Sequence, residues 1–290
     1  MNPSPSSLPQ ADTRRVAALS LGLFALLASL YLLSYSGIYH SGDEVGYVRD
    51  AIKIIRQGPT ELGHGGPFAL TLALGLILAQ AGEFVRPLQG LFLINIAATA
   101  LAAVFLFLTI LELGYDYRAG LLVAMLYGLA SPAWVYSKLL FRDPFVAMAL
   151  IAMVAFLVRF RRRWSYASLG LAILFCAVSV TTRPSTAIVA PFAFVYVAQA
   201  LFRKSNRDMV RLNARTILLI IAVLVLFVAV GYTLSSVFNL YTKWLDRLLR
   251  FFEHWDSIAG LLVSPGRGAL FYAPIVLIAL VGLVRFSRRH

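Results

Sequence analysis

Cysteine is nearly absent from this chain. Cys176, the one cysteine, lies in an apolar segment, so no disulfide can form within the chain, and we expect no redox role. The sequence also lacks a Walker loop, a dinucleotide-binding fingerprint, a paired-cysteine metal motif and a GxSxG elbow. These absences give no support to the chemistry of soluble nucleotide sugars.

Charge is scarce as well. Charged residues make up 13% of the chain and hydrophobic residues 60%, with a mean hydropathy of +0.80. Such a composition excludes a water-soluble globule and indicates a polytopic membrane protein. The net charge of +13 is typical of cytoplasmic loops that face anionic lipids, and we do not expect nucleic acid as a partner.

Long apolar runs recur along the whole chain and predict an all-α membrane protein with about eight transmembrane helices. The predicted spans are residues 16–35, 88–113, 119–139, 144–160, 165–181, 184–202, 216–237 and 269–285. Residues 1–15, rich in Pro and Ser, are predicted to be a disordered cytoplasmic segment, and 16–290 a single transmembrane domain. A cleaved signal peptide is the alternative for the first span, although its apolar core would be shorter.

Residues 67–82 are the ambiguous apolar segment, because they form either a short span or a reentrant or interfacial helix. If they do not cross, the basic clusters at 159–163, 203–215 and 285–289 share the cytoplasmic side with Arg14 and Arg15. If they do cross, the arginines at 161–163 are exported, which the positive-inside rule disfavours. The first topology gathers most carboxylates on the extracytoplasmic side.

An amphipathic helix is predicted over residues 43–57, directly after the first span. Spacing places three groups on different faces: an apolar stripe of Val45, Val48, Ile52 and Ile55; an acidic strip of Asp43, Tyr47 and Asp50; and a basic flank of Arg49, Lys53 and Arg56. A carboxylate held beside an apolar wall suits proton abstraction. Helix capping is the equally weighted alternative, because Ser41 and Glu44 fit a capping box.

The order of three motifs resembles a family of membrane enzymes. The stretches are GDEVGYVRDA, GGPFALTLALGLILAQAG and SPAWVYSKLLFRDPFVAMAL, followed by GLLVSPGRGALFYAPIVLIALVGL at 260–283. An acidic pair after the first span, a Pro-containing reentry and a second acid before Pro are similar to the GT-C type glycosyltransferases. These include the lipid-carrier-dependent protein mannosyltransferases and aminoarabinose transferases.

The resemblance implies an inverting transfer of a sugar from a polyprenyl-phosphate donor to a hydroxyl on a glycan, lipid or protein acceptor. Asp43 is then the general base, Asp143 a second cavity acid, and Glu44 a support for the helix or a bound cation. Tyr47 and Asp50 would line the substrate cavity. The alternative for Asp143, which precedes Pro144, is a helix cap.

The leaving lipid phosphate needs cationic partners, for which Arg142, Arg183 and Arg267 are the candidates. Arg183 precedes Pro184, and Arg267 lies between two glycines in SPGRG. The alternatives are snorkelling for Arg183 and a plain tight turn for Arg267.

One departure from the family concerns the reentry, where similar enzymes often carry a Lys before the Pro. This chain has GHGGPF, in which His64 is a candidate contact for phosphate or a metal, or else a solvated loop residue. A divalent metal stays open as a cofactor. The expected location is a bacterial inner or plasma membrane, with the active side extracytoplasmic. The alternative functions are a flippase-like transporter or carrier-lipid binder and a noncatalytic scaffold.

Overall fold

The computed structural model describes residues 13–35, 41–57, 67–81 and 90–207, together with Gly282. All regular secondary structure within these residues is helical. In chain order the helices are α1 (Thr13–Leu33), α2 (Gly42–Gln57), α3 (Pro67–Ala81), α4 (Phe92–Glu112), α5 (Tyr117–Leu129), α6 (Ala133–Tyr136), α7 (Asp143–Arg163), α8 (Tyr166–Thr182), a 3₁₀ helix (Pro184–Ile188) and α9 (Val189–Arg207). The predicted spans at 216–237 and 269–285 lie outside the described residues.

Helices α1, α4 and α7 are each long and apolar enough to cross a membrane. Each has 21 residues, or about 32 Å of helix, which matches the hydrocarbon core of a bilayer. Shorter apolar helical segments of 10–17 residues lie in α3, α5 and α8, and a fourth runs from the 3₁₀ helix into α9. The described chain is therefore all-helical with membrane-spanning character, while the count of eight spans stays a prediction.

Two predicted boundaries are wrong. Helix α1 begins at Thr13, so Thr13–Leu33 includes residues that were assigned to the disordered segment 1–15. The two arginines at its start are good helix formers, and Arg15 lies 4.3 Å from the centre of the Tyr117 ring. The predicted span 119–139 is instead broken after Leu129, because Pro132 lacks a backbone donor and disfavours helical geometry at the residue before it.

By its contacts the chain divides into two compact units, residues 1–129 with 133–183, and residues 130–132 with 184–290. In the first unit α4 packs against α1, α5 and α7, and α7 also packs against α8. Close approach depends on glycine: a Cβ added at Gly120 would lie 2.8 Å from the Phe107 ring. At Gly128 the backbone oxygen accepts a hydrogen bond of 2.9 Å from the Tyr31 hydroxyl.

The first unit has a basic end, which we define by Arg15, Arg162 and Arg163. Arg163 pairs with Glu112 at 2.9 Å, and Arg162 donates to the Leu111 and Glu112 carbonyls at 2.9 and 2.8 Å. The ends of α4 and α7 therefore meet there, and Arg15 brings the start of α1 against Tyr117 at the start of α5.

The opposite end of the first unit brings together the end of α1 and the start of α4. The rings of Tyr35 and Phe92 lie 5.0 Å apart, centre to centre. The end of α1 and the start of α4 therefore lie at the same end of this unit, and whether residues 67–82 cross a bilayer stays a prediction. Helix α3 has 15 residues, or about 22 Å, which is short for a span.

Helix α2 forms where the sequence predicts it, but its buried face differs from the predicted apolar stripe. The buried residues are Glu44, Val48, Ala51 and Ile54, and Val45 and Ile55 are 45% and 39% exposed. The reason is that α2 packs against α3, where the three apolar side chains join Phe68 and Leu72 in one cluster. This packing sets the rotation of α2 about its axis.

Candidate functional site

Glu44 is wholly buried and holds two parts of the chain together. Its carboxylate accepts hydrogen bonds from the Ser41 backbone N–H at 2.9 Å and from the Leu140 backbone N–H at 2.7 Å. The Glu44 N–H in turn donates to the Ser41 hydroxyl at 3.4 Å, which confirms the predicted capping box. The bond to Leu140 crosses 96 positions of sequence and anchors the turn before α7.

Asn95 holds the same turn from the other side. Its side-chain amide donates to the Leu139 and Phe141 carbonyls at 2.5 and 2.6 Å, and the residue is wholly buried. Buried backbone groups need partners, and Glu44 and Asn95 supply three for this short turn. Asn95 is not among the residues predicted for the site, although an amide in the apolar helix α4 is a signal for a polar contact between helices.

The anchored turn delivers Arg142 and Asp143 to the start of α7. Asp143 pairs with Arg183, which follows the last residue of α8. Arg142 donates to the Thr182 carbonyl at 3.4 Å. No side chain caps the start of α7, so the contact observed for Asp143 is its ion pair with Arg183 and not the cap considered as its alternative.

The Tyr47 phenol interacts electrostatically with charged groups at this end of the first unit. Burial raises the pKa of its phenol above the ordinary value; Arg142 and Arg183 lower the pKa, and Asp43 and Asp50 raise it. Four charged groups from α2, the turn and the end of α8 therefore act on one hydroxyl. We call Asp43, Tyr47, Asp50, Arg142, Asp143 and Arg183 the charged cluster.

The charged cluster rests on aromatic side chains. The Tyr47 ring meets Phe68 edge to face with centres 5.4 Å apart, and Phe68 lies 5.9 Å from Phe145 of α7. The rings place apolar side chains beside Tyr47, and Asp43 itself is exposed. The Asp43 carboxylate is therefore accessible to a ligand.

Most of the predicted site residues thus lie at one end of the first unit, opposite the basic end. Six form the charged cluster, and Glu44 lies buried as the anchor of the adjoining turn. His64 and Arg267 are outside the described residues. Within the described part of the chain, no group of three or more His, Cys, Asp or Glu could hold a metal ion.

No protein-family model, curated protein or solved structure matches the chain.

The side chains of the charged cluster determine what chemistry it can support. A carboxylate can accept a proton, and guanidinium groups can neutralise a phosphate. An acid and two arginines at one end of a set of helices that are long and apolar enough to cross a membrane suit a substrate that is polar at its head and apolar along its tail.

Proposed function

We propose that the chain is an integral membrane glycosyltransferase that moves a sugar from a polyprenyl-phosphate carrier to a hydroxyl acceptor on the extracytoplasmic side. The observation that supports this most is the charged cluster, in which the charges of Asp43, Arg142 and Arg183 all act on the Tyr47 hydroxyl. The cluster lies at the end of the unit opposite the arginines that the positive-inside rule assigns to the cytoplasm.

In this proposal Asp43 accepts the proton of the acceptor hydroxyl. The oxygen then attacks the anomeric carbon from the face opposite the phosphate, so a new carbon–oxygen bond forms as the bond to the phosphate breaks. The configuration at the anomeric carbon inverts, and the electron pair of the broken bond leaves on the lipid phosphate. Exposure of Asp43 supports its role as the base, because the acceptor must reach it.

The arginines neutralise the leaving phosphate in this scheme. Arg142 lies beside the Thr182 carbonyl, and Arg183 is oriented by its ion pair with Asp143. A cation that is already oriented needs no rearrangement as negative charge develops on the phosphate. Asp143 therefore acts as a positioning residue for Arg183.

Glu44 takes no proton in the proposed reaction. Both of its carboxylate oxygens accept backbone N–H groups, and the side chain has no exposure. Its contribution is to fix the turn that carries Arg142. The two acids of the predicted pair therefore have separate roles, with Asp43 as the base and Glu44 as the support.

The test uses purified full-length protein in liposomes with a synthetic polyprenyl-phosphate sugar that is labelled in both the sugar and the lipid. We expect the sugar label to move to an added hydroxyl acceptor, or slowly to water, with inverted configuration. Movement of intact donor across the bilayer without bond cleavage would instead identify a transporter. Donor binding with neither cleavage nor movement would identify a noncatalytic scaffold.

A further inference from the structure

Helix α2 has a second exposed face that the charged cluster does not use. We call it the basic face; its members are the exposed Val45, Arg49, Lys53 and Arg56 and the half-buried Ile52. At 100° per residue these positions lie within about 100° of one another, away from the strip that carries Asp43, Tyr47 and Asp50. The helix therefore has a core face, an acidic strip and a basic face.

An open groove of about 380 Å³ lies along the basic face, and its described lining comes from α2 alone. Its apolar lining comes from Val45, Val48 and Ile52, and its charged lining is cationic, from Arg49, Lys53 and Arg56. In the described part of the chain, no ion pair involves any of these three cations. The groove thus combines an apolar wall with three positive charges that have no acidic partner among those residues.

This combination matches an anionic phospholipid. The phosphates of a nucleic acid would pair with the cations but would leave the apolar wall without a contact. An apolar helix would cover the wall but would bury the cations without an acidic partner. A phospholipid satisfies both, since its acyl chain is apolar and its phosphate accepts hydrogen bonds from arginine and lysine. Helix α2 also follows α1 closely in sequence, and α1 is long and apolar enough to end at a membrane boundary.

We propose that the basic face docks on an anionic phospholipid of the bilayer. The acyl chain lies along Val45 and the half-buried Ile52, and the phosphate contacts Arg49, Lys53 and Arg56. The bilayer and α3 then hold α2 on two sides, which keeps the acidic strip turned toward Arg142 and Arg183. The inference does not depend on the proposed glycosyltransferase activity.

The test places a fluorophore on the basic face of the full chain. A Val45→Cys variant in a Cys176→Ala background is labelled and reconstituted into nanodiscs. Their lipid is phosphatidylcholine in which about one molecule in five is phosphatidylglycerol. Quenching by nitroxide-labelled phosphatidylglycerol is compared with quenching by the same amount of nitroxide-labelled phosphatidylcholine. We expect phosphatidylglycerol to quench at least about twofold more, because electrostatic attraction concentrates it at the cations.

Two controls locate the effect. An Asp43→Cys variant, labelled in the same way, should show no preference between the lipids, because position 43 lies on the acidic strip. The combined change Arg49→Gln, Lys53→Gln and Arg56→Gln should abolish the preference at position 45. If that variant fails to fold, a rise in salt should reduce the preference in the parent Val45→Cys variant, since salt screens the attraction.

Equal quenching by the two lipids at position 45 would overturn the proposal. So would a preference that survives both the triple change and high salt. Displacement of labelled phosphatidylglycerol by an equal amount of sugar-free polyprenyl phosphate would also overturn it, because the groove would then be a carrier-lipid site. None of these measurements includes a sugar donor or an acceptor, so their outcome is separate from that of the transfer assay.

Discussion

Asp43 and Glu44 are neighbours in the chain, but the fold gives them opposite surroundings. Asp43 is exposed at the start of α2, and Glu44 is wholly buried with two backbone N–H groups on its carboxylate. The sequence predicts the capping box, because its two residues are three positions apart. It cannot predict the contact with Leu140, which depends on how α2 meets a turn 96 positions away.

Replacement of Glu44 by Gln should destabilise the fold far more than replacement of Asp43 by Asn. The Gln amide keeps one acceptor oxygen but places an NH₂ group against a backbone N–H, at a cost of about 1–3 kcal/mol. The exposed change at Asp43 should cost less than about 1 kcal/mol. Thermal unfolding of both variants in detergent measures the difference, and equal losses would contradict the role given to Glu44.

Tyr47 reports whether the charged cluster forms in solution. Because burial raises its pKa, we expect the phenol to stay protonated at pH of about 10, where exposed tyrosines ionise. The protonated form then contributes stability that is complete below the pKa of the unfolded chain and is lost as pH rises through the folded pKa. The difference in ultraviolet titration between the parent protein and Tyr47→Phe measures this pKa.

Arg142→Gln should raise the pKa of Tyr47 further, because Arg142 lowers it in the parent protein. Arg118→Gln is a matched change at the exposed start of α5 and should leave the pKa of Tyr47 unchanged. The same response to both changes would show that the Tyr47 hydroxyl does not experience the charge of Arg142.

At the scale of elements, α2 and the turn over residues 137–142 carry the site. The helical period predicts that α2 is amphipathic, and capping predicts where it starts. Its face toward α3 was not predicted: the predicted apolar stripe contains Val45 and Ile55, whereas packing against α3 buries Ala51 and Ile54. Which face is buried depends on the second helix that packs against it. The sequence of one helical segment does not contain that information.

The turn should depend on Asn95. An Asn95→Ala change leaves two part-buried carbonyls without their donor, and we expect a loss of about 1–3 kcal/mol in all. Thr99→Val is the matched control, since the Thr99 hydroxyl only donates to the Asn95 carbonyl of its own helix, at 2.8 Å. Thermal unfolding compares the two variants. A control as destabilised as Asn95→Ala would contradict the role of Asn95 in holding the turn.

At the scale of the whole molecule, the sequence predicts the separation of basic and acidic groups better than it predicts the number of membrane spans. The positive-inside rule assigns Arg162 and Arg163 to one side and Asp43 and Asp143 to the other. The described helices have these groups at opposite ends of the first unit. The break after Leu129 was missed because hydropathy continues across Pro132, and only the backbone chemistry of proline marks it.

This separation predicts which positions react from each side of the membrane. In a Cys176→Ala background, Asp43→Cys should react with an impermeant maleimide in intact cells. Arg118→Cys, near the basic end, should react only after the cells are permeabilised. Reaction of both variants in intact cells, or the reverse order, would contradict the topology.

The central claim is that the Asp43 carboxylate takes the proton of the acceptor. Single-turnover sugar transfer by Asp43→Asn, with donor binding measured in the same sample, tests it most directly. Asp116→Asn is the control, because it makes the same chemical change at the exposed start of α5 and an Asn still caps that helix. We predict that Asp43→Asn binds donor normally but transfers at least about 100-fold more slowly, as expected for loss of a general base. Transfer by Asp43→Asn at the rate of the control would contradict the claim.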